Sequence, residues 1–122
     1  MHRFILCLLA LFVMSSANAG VYEEALKQNE RVFLYIYTQN CGYCVKFKPI
    51  YEKLAVKYAP KCKFVKIDAD TEYGRNLARA FGVRFVPYVV LANSKMGQTA
   101  LMPPNCLLHF ECADDIMRGF VK

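Results

Sequence analysis

The chain has 122 residues, of which 56% are hydrophobic and 21% are charged, and its formal net charge is +6. This length allows one domain with a modest core. The basic residues are interleaved with apolar ones, which is typical of a solvated helix face and argues against a nucleic-acid partner.

The first 19 residues have the pattern of a secretory signal. Arg3 supplies a positive start, residues 4–14 form an apolar core, and Ala17-Asn18-Ala19 is typical of a cleavage site. A transmembrane anchor is the competing interpretation, but the apolar run is shorter than the roughly 20 residues that a span requires. We therefore predict a signal peptide at 1–19, a mature domain at 20–122 without a membrane span, and a periplasmic or otherwise exported location, where disulfides persist.

Apolar periodicity divides the mature chain into helices and strands. In chain order we predict helix Val21–Gln28, strand Val32–Tyr37, helix Cys41–Tyr58, strand Lys63–Asp68, helix Glu72–Phe81, strand Tyr88–Ala92, strand Gln98–Met102 and helix Ala113–Val121. Gly82 stands where a helix C-terminus favours glycine. This order of elements is typical of an α/β domain whose mixed sheet is covered by helices.

The helix at Cys41–Tyr58 is the longest that the pattern predicts. Its apolar residues at helical spacing are expected on the buried face, and they are Val45, Ile50, Leu54 and Tyr58. Pro49 lies inside the same helix and removes one backbone hydrogen bond, so we expect a kink there.

Cys41-Gly42-Tyr43-Cys44 is the most informative motif of the chain. It follows an apolar run and opens the long helix. Two cysteines at this spacing form a small disulfide or a reactive dithiol, and the helix dipole stabilises the thiolate nearest the N-terminus. Position therefore predicts Cys41 as the attacking sulfur and Cys44 as the resolving one.

The chain resembles the thioredoxin superfamily in more than this motif. A proline follows the first cysteine at the family's spacing (Pro49), and residues 81–87 are similar to the family's approach to its cis-proline loop. The Gly42-Tyr43 dipeptide is similar to that of bacterial periplasmic disulfide isomerases. The resemblance implies a thioredoxin-like three-layer α/β/α sandwich with a mixed four-stranded sheet, in which the family's first strand is missing.

The resemblance also implies roles for individual residues. Cys41 matches the nucleophile, Cys44 the resolving thiol, and Pro87 the cis-proline that faces the dithiol. Val86 would then offer backbone groups to an extended substrate segment, and Gly42 and Tyr43 would contact substrate beside it. No cofactor and no metal are implied.

The sequence departs from the family pattern at several positions. Tyr35 replaces the buried carboxylate that lies on the central strand, and its phenol, with an ordinary pKa near 10, is a poor base. Lys66 matches the lysine that often neighbours that carboxylate, and Asn40 replaces an aromatic residue before the first cysteine. Residues 103–112 match nothing in the family.

The other cysteines allow more than one interpretation. A structural zinc site needs four ligands, and besides the motif the candidates are Cys62, Cys106, His109 and Cys112. We prefer a structural disulfide between Cys106 and Cys112 over a second redox pair or a metal site. Cys62 is then the odd thiol, either buried and inert or available to a partner.

The favoured function is that of an exported thiol–disulfide oxidoreductase acting on protein substrates with cysteines or disulfides. We expect a monomer, recycled by a redox partner, that favours oxidation or isomerisation over reduction. The alternative is a non-catalytic thioredoxin-like interaction module of an envelope or secretion assembly, in which the Cys41–Cys44 disulfide is only structural.

Overall fold

The structure, a computed structural model, describes residues 20–122. The predicted signal peptide at 1–19 lies outside the described residues. The elements are α1 (Val21–Gln28), β1 (Arg31–Tyr37), α2 (Gly42–Tyr58), β2 (Lys63–Asp68), α3 (Glu72–Phe81), β3 (Tyr88–Asn93), β4 (Gln98–Leu101), a 3-10 helix (Pro104–Leu108) and α4 (Phe110–Phe120). Among these described helices, none is long and apolar enough to cross a membrane.

One sheet carries the fold, with the strands in the order β2-β1-β3-β4. β1 pairs with β2 in parallel and with β3 in antiparallel fashion, and β3 pairs with β4 in antiparallel fashion. The four described strands therefore form the mixed sheet that the sequence predicts, and the fold is confirmed as that of thioredoxin.

β1 is buried on both faces, which explains its continuous apolar run. Because side chains alternate along a strand, Phe33 and Tyr35 face one core layer, with α2 and α4, while Leu34 and Ile36 face the other, with α1 and α3. This central strand leads directly into the loop that carries the first motif cysteine, so the dithiol is anchored to a strand that is almost fully buried.

The predicted inner face of α2 is wrong at one position. Val45 is 70% exposed, whereas Cys44 and Phe47 are buried together with Leu54. The cause is the helical phase: once Cys44 turns inward, its immediate neighbour points about 100° away. The other predicted inward residues fit this phase, because Tyr58 is buried and Ile50 packs partly against the core.

The prediction for the last helix is wrong at its start. α4 begins at Phe110 rather than at Ala113 and is preceded by the 3-10 helix, which the sequence analysis did not predict. A disulfide between Cys106 and Cys112 joins these two elements. Asp114 consequently lies beyond the first turn of α4.

α3 is bounded as predicted, and two residues explain its ends. Thr71 caps the N-terminus by accepting a hydrogen bond from the Gly74 N–H at 3.0 Å. Gly82 ends the helix with φ of 67°, the left-handed conformation that glycine tolerates best. The chain then turns toward the loop at Val86-Pro87.

Candidate active site at the Cys41–Cys44 disulfide

The two motif cysteines differ in accessibility. Cys41 and Cys44 are disulfide-bonded, with their Cα atoms 5.1 Å apart. Cys44 is only 7% exposed, while Cys41 is partly exposed at the N-terminus of α2. A thiol or disulfide arriving from solvent therefore meets the sulfur of Cys41 first.

Cys41 is the N-cap of α2, which places its sulfur at the positive end of the helix dipole. Its Sγ accepts a hydrogen bond from the Cys44 N–H at 3.0 Å. Both interactions stabilise a negative charge on this sulfur, and they arise because the motif opens a helix.

The loop before the motif is tied to the sheet. Gln39 donates a hydrogen bond from its side-chain amide to Asp68 at the end of β2, at 2.8 Å. This bond and the Asp70 backbone N–H lower the pKa of the Asp68 carboxyl. Asn40, which replaces the family's aromatic residue, is exposed immediately before Cys41.

The Val86–Pro87 loop faces the dithiol. The peptide bond between these residues is cis, and Pro87 is buried. The carbonyl oxygen of Val86 lies 3.6 Å from the Cys41 Sγ. The fold thus brings together two segments that lie 45 residues apart in the sequence, and Gly42 and Tyr43 are exposed beside them.

A cavity of about 190 Å³ lies at the disulfide and is lined by both Cys41 and Cys44. Its lining mixes rings and charged groups, and includes Tyr35, Tyr37, Tyr51, Lys48, Glu52 and Lys66. Burial raises the pKa of Tyr35 to about 12, and electrostatic repulsion from the nearby Tyr37 and Tyr51 contributes a smaller part of this increase. Tyr35 is therefore neutral at physiological pH, so the site lacks the buried negative charge that the family places there.

Lys66 is paired with rings instead of with a carboxylate. Its ammonium lies 4.6 Å from the centroid of the Tyr37 ring and 6.0 Å from that of Tyr35. Lys48 and Glu52, which the sequence analysis missed, reach the same cavity from α2. The sequence signal that identifies them is their helical spacing, because Lys48 and Glu52 follow Cys44 at i+4 and i+8 and therefore lie on the same face of α2.

A separate apolar groove lies between Tyr43 of the motif and the Val86–Pro87 loop. About 250 Å³ in volume, it is lined by Tyr43, Phe85, Val86, Pro87, Pro104, Leu107 and Leu108. The sequence analysis missed Phe85, Leu107 and Leu108 as site residues. No local signal marks the two leucines, because residues 103–112 match nothing in the family and reach the groove only through folding.

The remaining cysteines line neither the cavity nor the groove. Cys106 and Cys112 are disulfide-bonded, with Cα atoms 4.9 Å apart. Cys62 is a buried free thiol, and burial raises its pKa to about 12 against the opposing charge of Arg31. Within residues 20–122, His109 and the other ligand-type side chains do not gather into a group of three that would hold a metal.

The fold and the site together define a thioredoxin-fold protein with a Cys-x-x-Cys pair able to form a disulfide. Residues 12–102 match the sequence profile of the family named Thioredoxin. The chain belongs to this family.

Individual relatives agree with this assignment. The chain is similar to the thioredoxin of Borreliella burgdorferi, at 31% identity over 68 residues that cover 56% of each chain. It is 28% identical over 81 residues to a protein disulfide-isomerase of Medicago sativa, covering 64% of this chain and 16% of that one. A solved thioredoxin mutant from Halobacterium salinarum superimposes with a TM-score of 0.69 at 27% identity, covering 84% of this chain and 87% of that one. The chain spans about half the length of the first curated relatives that it matches.

Proposed function

We propose that this protein is an exported thiol–disulfide oxidoreductase that exchanges disulfides with protein substrates through Cys41 and Cys44. The observation that carries the proposal is the asymmetry of the pair. Cys41 is partly exposed and its Sγ accepts a hydrogen bond from the Cys44 N–H, while Cys44 is buried behind it. A purely structural disulfide has no need of an accessible sulfur at a helix N-terminus.

In the oxidising direction a substrate thiolate attacks the Sγ of Cys41. A substrate–Cys41 disulfide forms, the Cys41–Cys44 bond breaks, and Cys44 leaves as a thiolate that takes a proton from water. A second substrate thiolate then attacks the substrate sulfur, and Cys41 leaves as a thiolate stabilised by its cap. The substrate loses two electrons and the protein becomes a dithiol, which a redox partner reoxidises.

We propose that oxidation or isomerisation is favoured over reduction. Because Tyr35 is neutral, no buried negative charge on β1 opposes a thiolate at the dithiol. A more stable thiolate favours the reduced protein and makes its disulfide a stronger oxidant. We expect a reduction potential between about −230 and −120 mV, above the roughly −270 mV of thioredoxin.

Cysteine variants test the exchange chemistry. Cys41→Ser is expected to abolish exchange with protein substrates. Cys44→Ser, incubated with a disulfide-bonded substrate, is expected to accumulate substrate–Cys41 disulfides on non-reducing gels, because its Cys41 thiolate attacks the substrate disulfide and no second thiol resolves the product. Cys62→Ala is the matched control and should exchange normally, because Cys62 lies outside the site. If all three variants behave alike, the exchange chemistry is refuted and a non-catalytic interaction module is the better interpretation.

Equilibration with glutathione tests the direction. A potential at or below that of thioredoxin would make the protein a reductase and would refute the preference for oxidation. Export is tested separately, by expressing the full chain and sequencing the N-terminus of the product. Processing before Gly20 and recovery outside the cytoplasm are expected, and an intact N-terminus in the cytoplasm would contradict the signal peptide.

A further inference from the structure

We propose that the bridged segment, defined as residues 104–108 together with the Cys106–Cys112 disulfide, determines substrate specificity. It forms one wall of the apolar groove beside Cys41. The groove binds an apolar side chain of the substrate, which is an extended segment of a partly unfolded protein. This side chain lies within two positions of the substrate cysteine that reacts with Cys41. This role presupposes the disulfide exchange proposed above.

The groove has the chemistry of an apolar subsite. No charged side chain lines it, whereas Lys48, Glu52 and Lys66 line the cavity at the disulfide. Its volume of about 250 Å³ is sufficient for one large side chain, since a cavity of about 150 Å³ holds benzene. An apolar side chain next to a bound cysteine therefore has one favourable place at this site.

Exposed apolar residues gather at this groove from three separate parts of the chain. Tyr43 is 58% exposed, Phe85 45% and Leu108 42%. Single exposed apolar residues are ordinary, but a group of them around a reactive centre indicates a surface that is covered during function. Val86 connects this surface to the chemistry, because it lines the groove and its carbonyl oxygen lies beside the Cys41 Sγ.

The bridged segment is held firmly enough to act as a wall. Leu107 and Cys106 are buried, at 2% and 3% exposure, and the disulfide ties the 3-10 helix to α4. At the start of the segment, the Cys106 N–H donates a hydrogen bond to the carbonyl oxygen of Pro103, the residue that precedes the segment in the chain, at 2.9 Å. Leu108 is consequently presented to the groove by a short anchored turn, so an incoming side chain meets a preformed surface.

The test uses pairs of reduced dithiol peptides that differ only beside the reacting cysteine, with leucine in one and serine or aspartate in the others. The wild-type protein in its disulfide form is expected to oxidise the leucine peptide with a kcat/KM about tenfold higher, mainly through KM. This ratio is modest for burial of one leucine side chain, because the groove stays partly open. Equal rates for all peptides, or a preference for aspartate, would overturn the proposal.

Variants then assign the preference to the bridged segment. Leu108→Ser should reduce the ratio to about threefold or less, while the matched control Val56→Ser, at an 83% exposed position on α2, should retain it. The double variant Cys106→Ser/Cys112→Ser should also lose the preference if it remains folded by circular dichroism. A full preference in a folded Leu108→Ser protein would overturn the assignment.

Reaction of the disulfide form with reduced glutathione distinguishes failure of the groove from failure of the oxidoreductase function. Glutathione has no large apolar side chain, so Leu108→Ser and wild type should react with it equally. If neither peptides nor glutathione react with the wild type, the oxidoreductase function fails. If glutathione and all peptides react without preference, only the groove fails.

Discussion

Replacement of Gly74 by alanine tests how tightly α3 packs on the turn after β2. A Cβ atom at this position would lie 2.7 Å from the carbonyl carbon of Asp68, closer still to its oxygen, and 3.0 Å from the Ala69 Cα. These are backbone atoms, which cannot rotate away as a side chain does. The first turn of α3 therefore has to move.

The expected loss in unfolding free energy is about 1–3 kcal/mol. Overpacking against a fixed neighbour costs about 1–3 kcal/mol, and displacement of the Thr71 cap, whose hydroxyl accepts from the Gly74 N–H, costs about 1 kcal/mol more. The better helix propensity of alanine returns about 1 kcal/mol. For a domain of this size the melting temperature should fall by about 5 °C or more.

Gly119→Ala is the matched control. Gly119 lies in α4, and a Cβ there would meet nothing within 4 Å. Here only the propensity gain applies, so the variant should be as stable as wild type or more stable by about 0.5 kcal/mol. Thermal and urea unfolding monitored by circular dichroism provide the comparison. Equal melting temperatures for the two variants would refute the close approach of α3 to Asp68.

Three further predictions concern the other polar and sulfur groups. Removing the Cys106–Cys112 disulfide by double serine substitution should lower the unfolding free energy by about 2.4 kcal/mol, the chain-entropy value for so short a loop; an unchanged urea midpoint would contradict it. Hydrogen bonding by Lys57 and Tyr58 lowers the pKa of Asp114, so Asp114→Asn should cost about 1 kcal/mol at pH 7. That difference should disappear as pH falls below the folded pKa of Asp114, and a difference independent of pH would refute the linkage. Because burial raises the pKa of Cys62 to about 12, iodoacetamide should label it at pH 8 only after unfolding; rapid labelling of the native protein would contradict its burial.

Local signals were sufficient to predict much of the fold. The bounds of β2 and α3 agree with the sequence prediction, because α3 has a threonine cap at one end and Gly82 at the other. The motif likewise fixes Cys41 at a helix start through spacing alone. The elements that the sequence predicts best are those whose ends depend on neighbouring residues.

The errors of the prediction lie where contacts between residues distant in the sequence determine the local structure. Cys44 and Val45 are adjacent and both apolar, and the packing of Phe47 against Tyr35 of β1 selects Cys44 as the inward residue. The start of α4 and the position of Leu108 depend on how residues 103–112 fold back on the groove. A segment without family match gives no pattern from which such a contact is predicted.

The two outer strands of the described sheet are protected against unwanted strand addition by different means. β2 exposes Lys63 and Lys66, and charge on an edge strand repels an approaching chain. β4 exposes four uncharged side chains but is only four residues long, which limits the ladder that a second chain can form. Salt screens charges on an exposed surface, so protection by charge weakens at high ionic strength, whereas protection by shortness does not. In concentrated salt, aggregation should therefore begin at β2.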